Sequence, residues 1–402
     1  MVQFYWDSGK NLAKDKEVTD ELKKRKYDFV VGNPPYVRTH EQYLLKKRII
    51  KDFGEVVEGQ FDLFVPFIKF GYDILNRDGK LSYIISNKLL SNDYAVKLRK
   101  FLIENCAIQE IIDSSEIEWF AASVYPVIFV VKKTETPGLT LNIGHIQSAN
   151  ELKSGHINLI TLPTDKILRL YNSIIPSVRS KKEFDLLLAL SEFNKDFKVF
   201  RPKPTSINIM SKGDFENKPE VIQERYIPVV SNEDVLKFYI TANEKFIDKS
   251  LKDTPEKPHV LMKKLCRTLT AAINSDKVAA INTTYVVESK SNLRPELIVA
   301  IINSKIADFY AKKMFFSTHM GSNYIELRTK QIENLPVKIP STKKEEAIAE
   351  EITKTVREIL KLKKSDVNYD TEKLEADVDD LVFKLYEIST DERKVIEQAV
   401  FT

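Results

Sequence analysis

Tyr27-Asp-Phe-Val-Val-Gly-Asn-Pro-Pro-Tyr-Val-Arg38 changes character half-way along. Phe29-Val30-Val31 is a short, β-branched apolar run of the kind that forms a buried parallel strand. Gly32-Asn33-Pro34-Pro35-Tyr36 cannot continue it. Two prolines remove two backbone donors and fix φ twice, and Gly32 permits a conformation that other residues avoid. The expectation is a stiff loop at the carboxyl end of a sheet strand, carrying one amide (Asn33) and one aromatic ring (Tyr36). Open α/β sheets place their ligand chemistry at such ends.

The rest of the sequence bounds the setting. At 402 residues, 43% hydrophobic and 30% charged, the chain can bury two or three proper cores. The longest apolar run, Val124–Val131, is broken by Pro126 and is too short to span a membrane. The first residues lack the basic and apolar regions of a secretory signal. Cys106 and Cys266 each lie in apolar surroundings, which fits buried thiols and a reducing cytoplasm. The five histidines are scattered, and no Cys/His cluster has metal-ligand spacing, so no metal is expected. A net charge of +4 permits a nucleic-acid partner where the lysines cluster, without arguing for one alone.

Outward from the loop, Thr39–Lys51 reads as a basic helix. Phe61, Phe64, Phe67, Ile68, Gly71, Ile74 and Leu75 recur at helical spacing up to the turn Asn76-Arg-Asp-Gly79. Leu81–Ile85 reads as a strand, Asp93–Glu104 as a helix, and Ile108–Ile112 and Val127–Val131 as strands. That order fits the second half of a doubly wound α/β sheet. The first half is not evident: about 27 residues precede the strand, and the eleven glycines include no Gly-x-Gly pair. The stretch 136–164 reads as a connector. After it come helices at Ile167–Ile175 and Phe184–Phe193, then short strands at Tyr226–Val230, Val260–Met262, Val278–Ile281 and Thr284–Val287. Glu296–Lys312 reads as one apolar helix, Phe315–Tyr324 as a loop. Lys343–Lys364 and Thr371–Ile388 are amphipathic helices, and Ser389-Thr-Asp-Glu392 is a capping box opening a last one.

Asn33-Pro34-Pro35-Tyr36, with Phe4-Tyr-Trp-Asp7 before it, resembles the catalytic loop of DNA methyltransferases acting on N6 of adenine, in the TaqI-like, type IIG restriction–modification branch. Val260-Leu-Met-Lys-Lys-Leu-Cys-Arg267, Ile281-Asn-Thr-Thr-Tyr285, Ile301-Ile-Asn-Ser-Lys305 and Leu335-Pro-Val-Lys-Ile-Pro340 resemble that family's target-recognition domain, in the same order. Leu374–Tyr386 is similar to its terminal helix. The resemblance implies an α/β chain: part of a class I, Rossmann-like methyltransferase sheet (1–135), the connector (136–164), an α+β DNA target-recognition domain (165–340) and a helical tail (341–402).

It also implies chemistry. Adenine N6 is conjugated with its ring and is a poor nucleophile. Acceptors on its two N–H groups, the Asn33 side-chain oxygen and the Pro34 carbonyl, would pull the nitrogen towards tetrahedral geometry, with Pro35 holding the loop still. The base must be flipped from the duplex and stacked, on Tyr36 and on a second aromatic assigned to Phe120, with Tyr125 or Trp119 as substitutes. Lys263, Lys264, Arg267, His319, Asn323 and Arg328 are the candidate DNA contacts. The methyl donor would be S-adenosylmethionine, but the family's glycine-rich turn lies N-terminal to the loop, and this sequence departs from the family there. Either the chain is the C-terminal part of a longer one, or its partner half sits on another polypeptide. No nuclease constellation such as Pro-Asp followed by Glu-x-Lys is evident. A rival reading is a DNA-binding specificity module that catalyses nothing unaided. A third, RNA or protein methylation, shares the loop but does not need so large a middle domain.

Overall fold

The computed structural model describes residues 24–37, 43–117, 125–242, 244–320 and 324–401. The chain divides into two compact units after Phe184.

The first unit is built on a six-stranded sheet. Its strands are β1 (Tyr27–Gly32), β2 (Leu75–Ser86), β3 (Cys106–Asp113), β4 (Pro126–Lys133), β5 (Thr140–His145) and β6 (Leu159–Pro163), in the order β1-β2-β4-β3-β5-β6. β1 runs parallel to β2 and β3 parallel to β5, while β4 is antiparallel to both of its neighbours. The carboxyl ends of β1, β2, β3 and β5 therefore share one edge. β5 and β6 fall within the stretch expected to be a connector; instead it extends the sheet. Their alternation is blurred in sequence by Asn142, Gly144 and His145, yet Leu141 and Ile143 are buried. The expected turn Asn76–Gly79 is present as a bulge. Two residues of β1, Tyr27 and Phe29, pair with Leu75 and Lys80, and Asp78 takes a left-handed φ of 62° between them.

The two faces of the sheet differ. On one, Leu81, Tyr83 and Ile85 of β2 pair with Val131, Phe129 and Val127 of β4, and all six are buried. The helices Phe64–Asp73 and Val96–Asn105 supply Phe64, Ile68, Leu98 and Leu102 to this core. Each such side chain contributes roughly 1.5–3 kcal/mol on burial. On the other face lie Phe29 and Val31 of β1, Ser82 and Ile84 of β2, and Ile128 and Val130 of β4. Phe29 is 72% exposed, Val31 78% and Ile84 37%. Among the described residues, β1 has no neighbour on its outer edge. The expectation of a buried strand at Phe29–Val31 is thus corrected. The ladder with β2 is formed, but no strand flanks it and nothing described covers its outer face.

Arg99, fully buried on the helix Val96–Asn105, fastens two distant stretches. Its guanidinium donates to the carbonyls of Leu89, Asn92, Asn172 and Ser173 at 2.8–3.3 Å. Asn172 and Ser173 adopt left-handed φ of 53° and 50° to present those oxygens. Burial lowers the Arg99 pKa to about 10, still far above neutrality.

Among the described residues, the second unit holds three small sheets. One has the order β14-β9-β10-β8, from β8 (Met210–Ser211), β9 (Tyr226–Val230), β10 (Lys245–Asp248) and β14 (Ala279–Ala280). Another has the order β13-β11-β15-β7, from β7 (Phe197–Phe200), β11 (His259–Lys263), β13 (Ala271–Asn274) and β15 (Thr284–Ser289). The third is a ribbon of order β12-β17-β16, from β12 (Leu265–Cys266), β16 (His319–Met320) and β17 (Tyr324–Glu326). Val230, Val235, Leu261, Ala272, Ala280 and Val286 form the core shared by the two larger sheets.

The expected helix Glu296–Lys312 is two helices, Pro295–Ile302 and Lys305–Met314. Asn303 leaves the helix to exchange hydrogen bonds with both the N–H and the carbonyl of Ala271, at 2.8 and 3.0 Å. Ser304 then caps the second helix through Ala307 N–H. The helices Lys343–Ser365 and Glu372–Leu385 pack on each other and on Pro295–Ile302. The ion pairs Arg294–Glu350 and Arg357–Glu296 seal their rim. The capping box Ser389/Glu392 forms as the sequence predicts, and a second one, Thr342/Glu345, opens the helix Lys343–Ser365.

Candidate functional site

The Asn33–Tyr36 loop leaves β1 at the edge where the carboxyl ends of the parallel strands gather. Pro34 is buried, Pro35 and Tyr36 are half-buried, and Asn33 is exposed. The loop's stiff elements are therefore packed and its one amide faces outward. The Tyr36 hydroxyl donates to the Ile84 carbonyl at 3.0 Å. Burial pushes the phenol up to about 12, so it stays a donor at physiological pH. Downstream, the Val37 carbonyl accepts the Leu63 N–H at 2.9 Å, tying the loop to the start of the helix Phe64–Asp73.

Gly32 is needed for a reason other than the one expected. Its φ is not positive. A Cβ there would lie 3.1 Å from Tyr83 Cε1, and a Cβ on Gly71 would lie 2.6 Å from the Tyr83 hydroxyl. Tyr83 is thus wedged between two glycines beneath the loop. Space, not backbone conformation, selects glycine at 32.

The structure adds residues that the sequence reading missed. Asp62 is 5% exposed and its carboxylate accepts the Tyr94 hydroxyl at 2.9 Å, with Lys88 Nζ at 3.7 Å. This links the segment before the helix to the loop after β2. Further along the edge, Asp113 accepts the backbone and side-chain groups of Ser115, and Asn87 reaches the same hydroxyl at 3.4 Å. His145 Nδ1 lies 3.7 Å from Asp113, and its Nε2 meets the Val178 carbonyl at 2.9 Å. A carbonyl only accepts, so Nε2 carries a hydrogen there. Asn87 N–H also bonds to the carbonyl of Tyr125, which is half-buried. Phe120 and Trp119 lie outside the described residues. The one sequence signal for this network was a buried-type carboxylate between apolar neighbours, Phe61-Asp62-Leu63.

The DNA-contact candidates sort themselves within the second unit. Lys264 is ion-paired with Glu326 across the β12–β17 ribbon at 2.9 Å, while Lys263 is half-buried at the end of β11. Arg267 is exposed, with its guanidinium 5.1 Å over the Tyr324 ring. The backbone of His319 pairs with Ile325 in the same ribbon. Arg328 is exposed at the N-terminus of the short helix Thr329–Glu333, its N–H donating to Gln331. Asn323 lies outside the described residues. The two cysteines are buried, and burial raises both thiols to about 12, leaving them unreactive. Among the described residues, no helix is long and apolar enough to cross a membrane.

With this geometry established, comparison with known proteins is informative. Residues 3–120 match the Eco57I restriction-modification methylase profile, and residues 218–337 match the TaqI-like C-terminal specificity domain. The chain joins an Eco57I-type methylase segment to a TaqI-like specificity domain. The methylase segment contains the Asn33–Tyr36 loop; the specificity domain contains β11, β12 and β17. Over 112 residues the chain is 39% identical to the type II methyltransferase M.BstVI of Geobacillus stearothermophilus, covering 27% of this chain and 19% of that protein. Over 232 residues it is 25% identical to M.PaeR7I of Pseudomonas aeruginosa, covering 52% and 39%. The chain thus spans well under half the length of these relatives. The type IIL restriction–modification enzyme MmeI shares the fold, with a TM-score of 0.63 at 13% identity, over 94% of this chain and 57% of that one.

Proposed function

We propose that this chain is the catalytic-loop and target-recognition part of a site-specific DNA adenine-N6 methyltransferase belonging to a type II restriction–modification system. One observation carries the reading. Asn33 is exposed on a loop whose prolines are packed and whose Tyr36 is pinned to β2, at the edge where α/β sheets hold their ligands. A flipped adenine stacked on Tyr36 would offer its amine to the Asn33 oxygen and the Pro34 carbonyl. These neutral acceptors withdraw the N–H groups without burying a charge. Phe120 is the assigned second stacking ring. Lys263, Lys264, Arg267, His319, Asn323 and Arg328 are the assigned duplex contacts. MmeI, the structural relative, was solved in complex with DNA.

S-adenosylmethionine is the proposed methyl donor; when bound it supplies an electrophilic methyl group. The sequence holds no Gly-x-Gly pair, the turn expected of the donor's cradle, so no donor-binding residue is assigned in this chain. No step involving the donor is assigned to its residues. Among the described residues, the exposed Phe29, Val31 and Ile84 and the open edge of β1 favour a second polypeptide segment as the carrier of that turn, one that adds a strand beside β1 and helices over Phe29 and Val31. By the same observation, the chain unaided would be a DNA-binding specificity module. A cytoplasmic setting suits both duplex DNA and two reduced thiols.

The test is methyl transfer to duplex DNA after adding the N-terminal part of a relative. Activity that needs both parts and is abolished by Asn33→Ala, with duplex binding intact, supports the proposal. Unchanged transfer by Asn33→Ala refutes it.

A further inference from the structure

We infer that Arg267, held over Tyr324 on the β12–β17–β16 ribbon, is a specificity-determining residue that reads a guanine through the O6 and N7 acceptors of its major-groove edge. The inference rests on the reading of this unit as a DNA target-recognition domain.

The ribbon's register sets up the pair. Leu265 pairs with Glu326 and Cys266 with Ile325, so the next step places Arg267 opposite Tyr324. Cys266 and Ile325 are buried beneath the ribbon. Alternation along a strand then turns Leu265, Arg267, Tyr324 and Glu326 to its outer face. Leu265 is 38% exposed there. β12 is only two residues long, yet its start is fixed from outside the ribbon. The Asn232 side-chain oxygen accepts the N–H groups of Lys264 and Leu265 at 3.0 and 3.1 Å, and its amide donates to the Leu265 carbonyl at 3.0 Å. The residue that follows therefore leaves a rigid base.

Arg267 also differs from Arg225, Arg294, Arg357 and Arg393, each of which is paired with a carboxylate. Arg267 makes no hydrogen bond or ion pair among the described residues and lies over the Tyr324 ring. A guanidinium held over an aromatic ring keeps its N–H groups available to donate a bidentate pair. Phosphate would meet the same fork. However, the Glu326 carboxylate shares the outer face and neutralises Lys264. That arrangement disfavours a backbone phosphate, whereas guanine is uncharged and presents two acceptors at the fork's spacing. A narrow β-ribbon enters the major groove readily.

The experiment is selection of bound duplexes from a random-sequence pool by the full chain, followed by affinity titrations at several salt concentrations. Wild type is expected to enrich a motif with one guanine that both Arg267→Ala and Arg267→Lys relax, cutting discrimination at that position by about tenfold. Affinity for unrelated duplex should stay within about twofold. Tyr324→Phe should keep the preference and Tyr324→Ala should weaken it. Lys263→Ala, by contrast, should weaken every sequence equally and reduce the salt slope by about one. If Arg267→Ala behaves as Lys263→Ala is expected to, Arg267 contacts phosphate and the inference is wrong. Selective binding that Arg267→Ala leaves unchanged, or duplex binding by wild type with no preference, also overturns it. Absence of any duplex binding at low salt would remove the recognition-domain reading itself.

Discussion

The hydroxyl of Tyr36 and the main-chain oxygen of Ile84 are 3.0 Å apart, so the aromatic of the loop is fastened to a backbone atom of the neighbouring strand. Tyr36→Phe keeps the ring and deletes one neutral hydrogen bond of about 1 kcal/mol, so methyl transfer by the completed enzyme should fall roughly fivefold. Tyr36→Ala also removes the stacking surface. It should abolish the fluorescence rise of 2-aminopurine at the target position, which Tyr36→Phe retains. Because the phenol titrates near 12, neither wild-type transfer nor binding should show a Tyr36-dependent step between about pH 7 and 10.

Gly32→Ala tests the wedge beneath the loop. The new methyl meets Tyr83 Cε1 at 3.1 Å, a close contact with a ring that Gly71 already confines. Overpacking of this kind costs about 1–3 kcal/mol. Thermal unfolding should therefore show a lower Tm for Gly32→Ala. Adding Tyr83→Leu should recover part of the loss relative to Tyr83→Leu alone. A strictly additive double mutant would show that the ring is not the obstacle.

Lys195 gives a stability signature in pH. Its ammonium is largely buried, makes no hydrogen bond among the described residues and lies 5.3 Å from the Tyr310 ring centroid. Burial lowers its pKa to about 8, below the ordinary lysine value. Between that pH and about 10.4 the unfolded chain holds a proton that the folded chain has released, so this residue makes stability rise with pH across that window. Lys195→Met should raise Tm most below pH 8, and its advantage should shrink towards pH 10. An advantage constant with pH would show that the gain comes from packing.

Phe29 and Val31 test the open face. Replacing both by Thr keeps β propensity and should leave the Tm of the isolated chain nearly unchanged, since both side chains are already largely in water. Association with the complementary half should weaken at least tenfold, given the apolar area the two side chains would bury. Gel filtration and titration calorimetry distinguish this from general unfolding. Equal affinity for both forms would place the partner elsewhere.

The sequence revealed much of this, and the misses share a cause. The helix Lys343–Ser365 was legible almost to the residue because its apolar positions keep one phase; its local start signal, Thr342 with Glu345, went unread. β9 and β11 were found from their own β-branched runs. The break at Asn303 was not, because its partner Ala271 lies 32 residues away. Exposure of Phe29 and Val31 was equally hidden, since burial of a strand depends on what crosses it. Asn33 and Tyr36 were recognisable as chemistry from the loop alone. The carboxylates Asp62 and Asp113, which meet Tyr94 and His145 from more than 30 residues away, became visible only when the chain was folded.

Among the described residues, Arg99 makes all its hydrogen bonds to main-chain oxygens and none to a carboxylate. The segments it clasps can therefore exchange their side chains without losing the clasp, provided their backbones hold course. Replacing the arginine itself would orphan carbonyls on both segments at once, so one side-chain change there should loosen two stretches of chain that lie far apart in sequence.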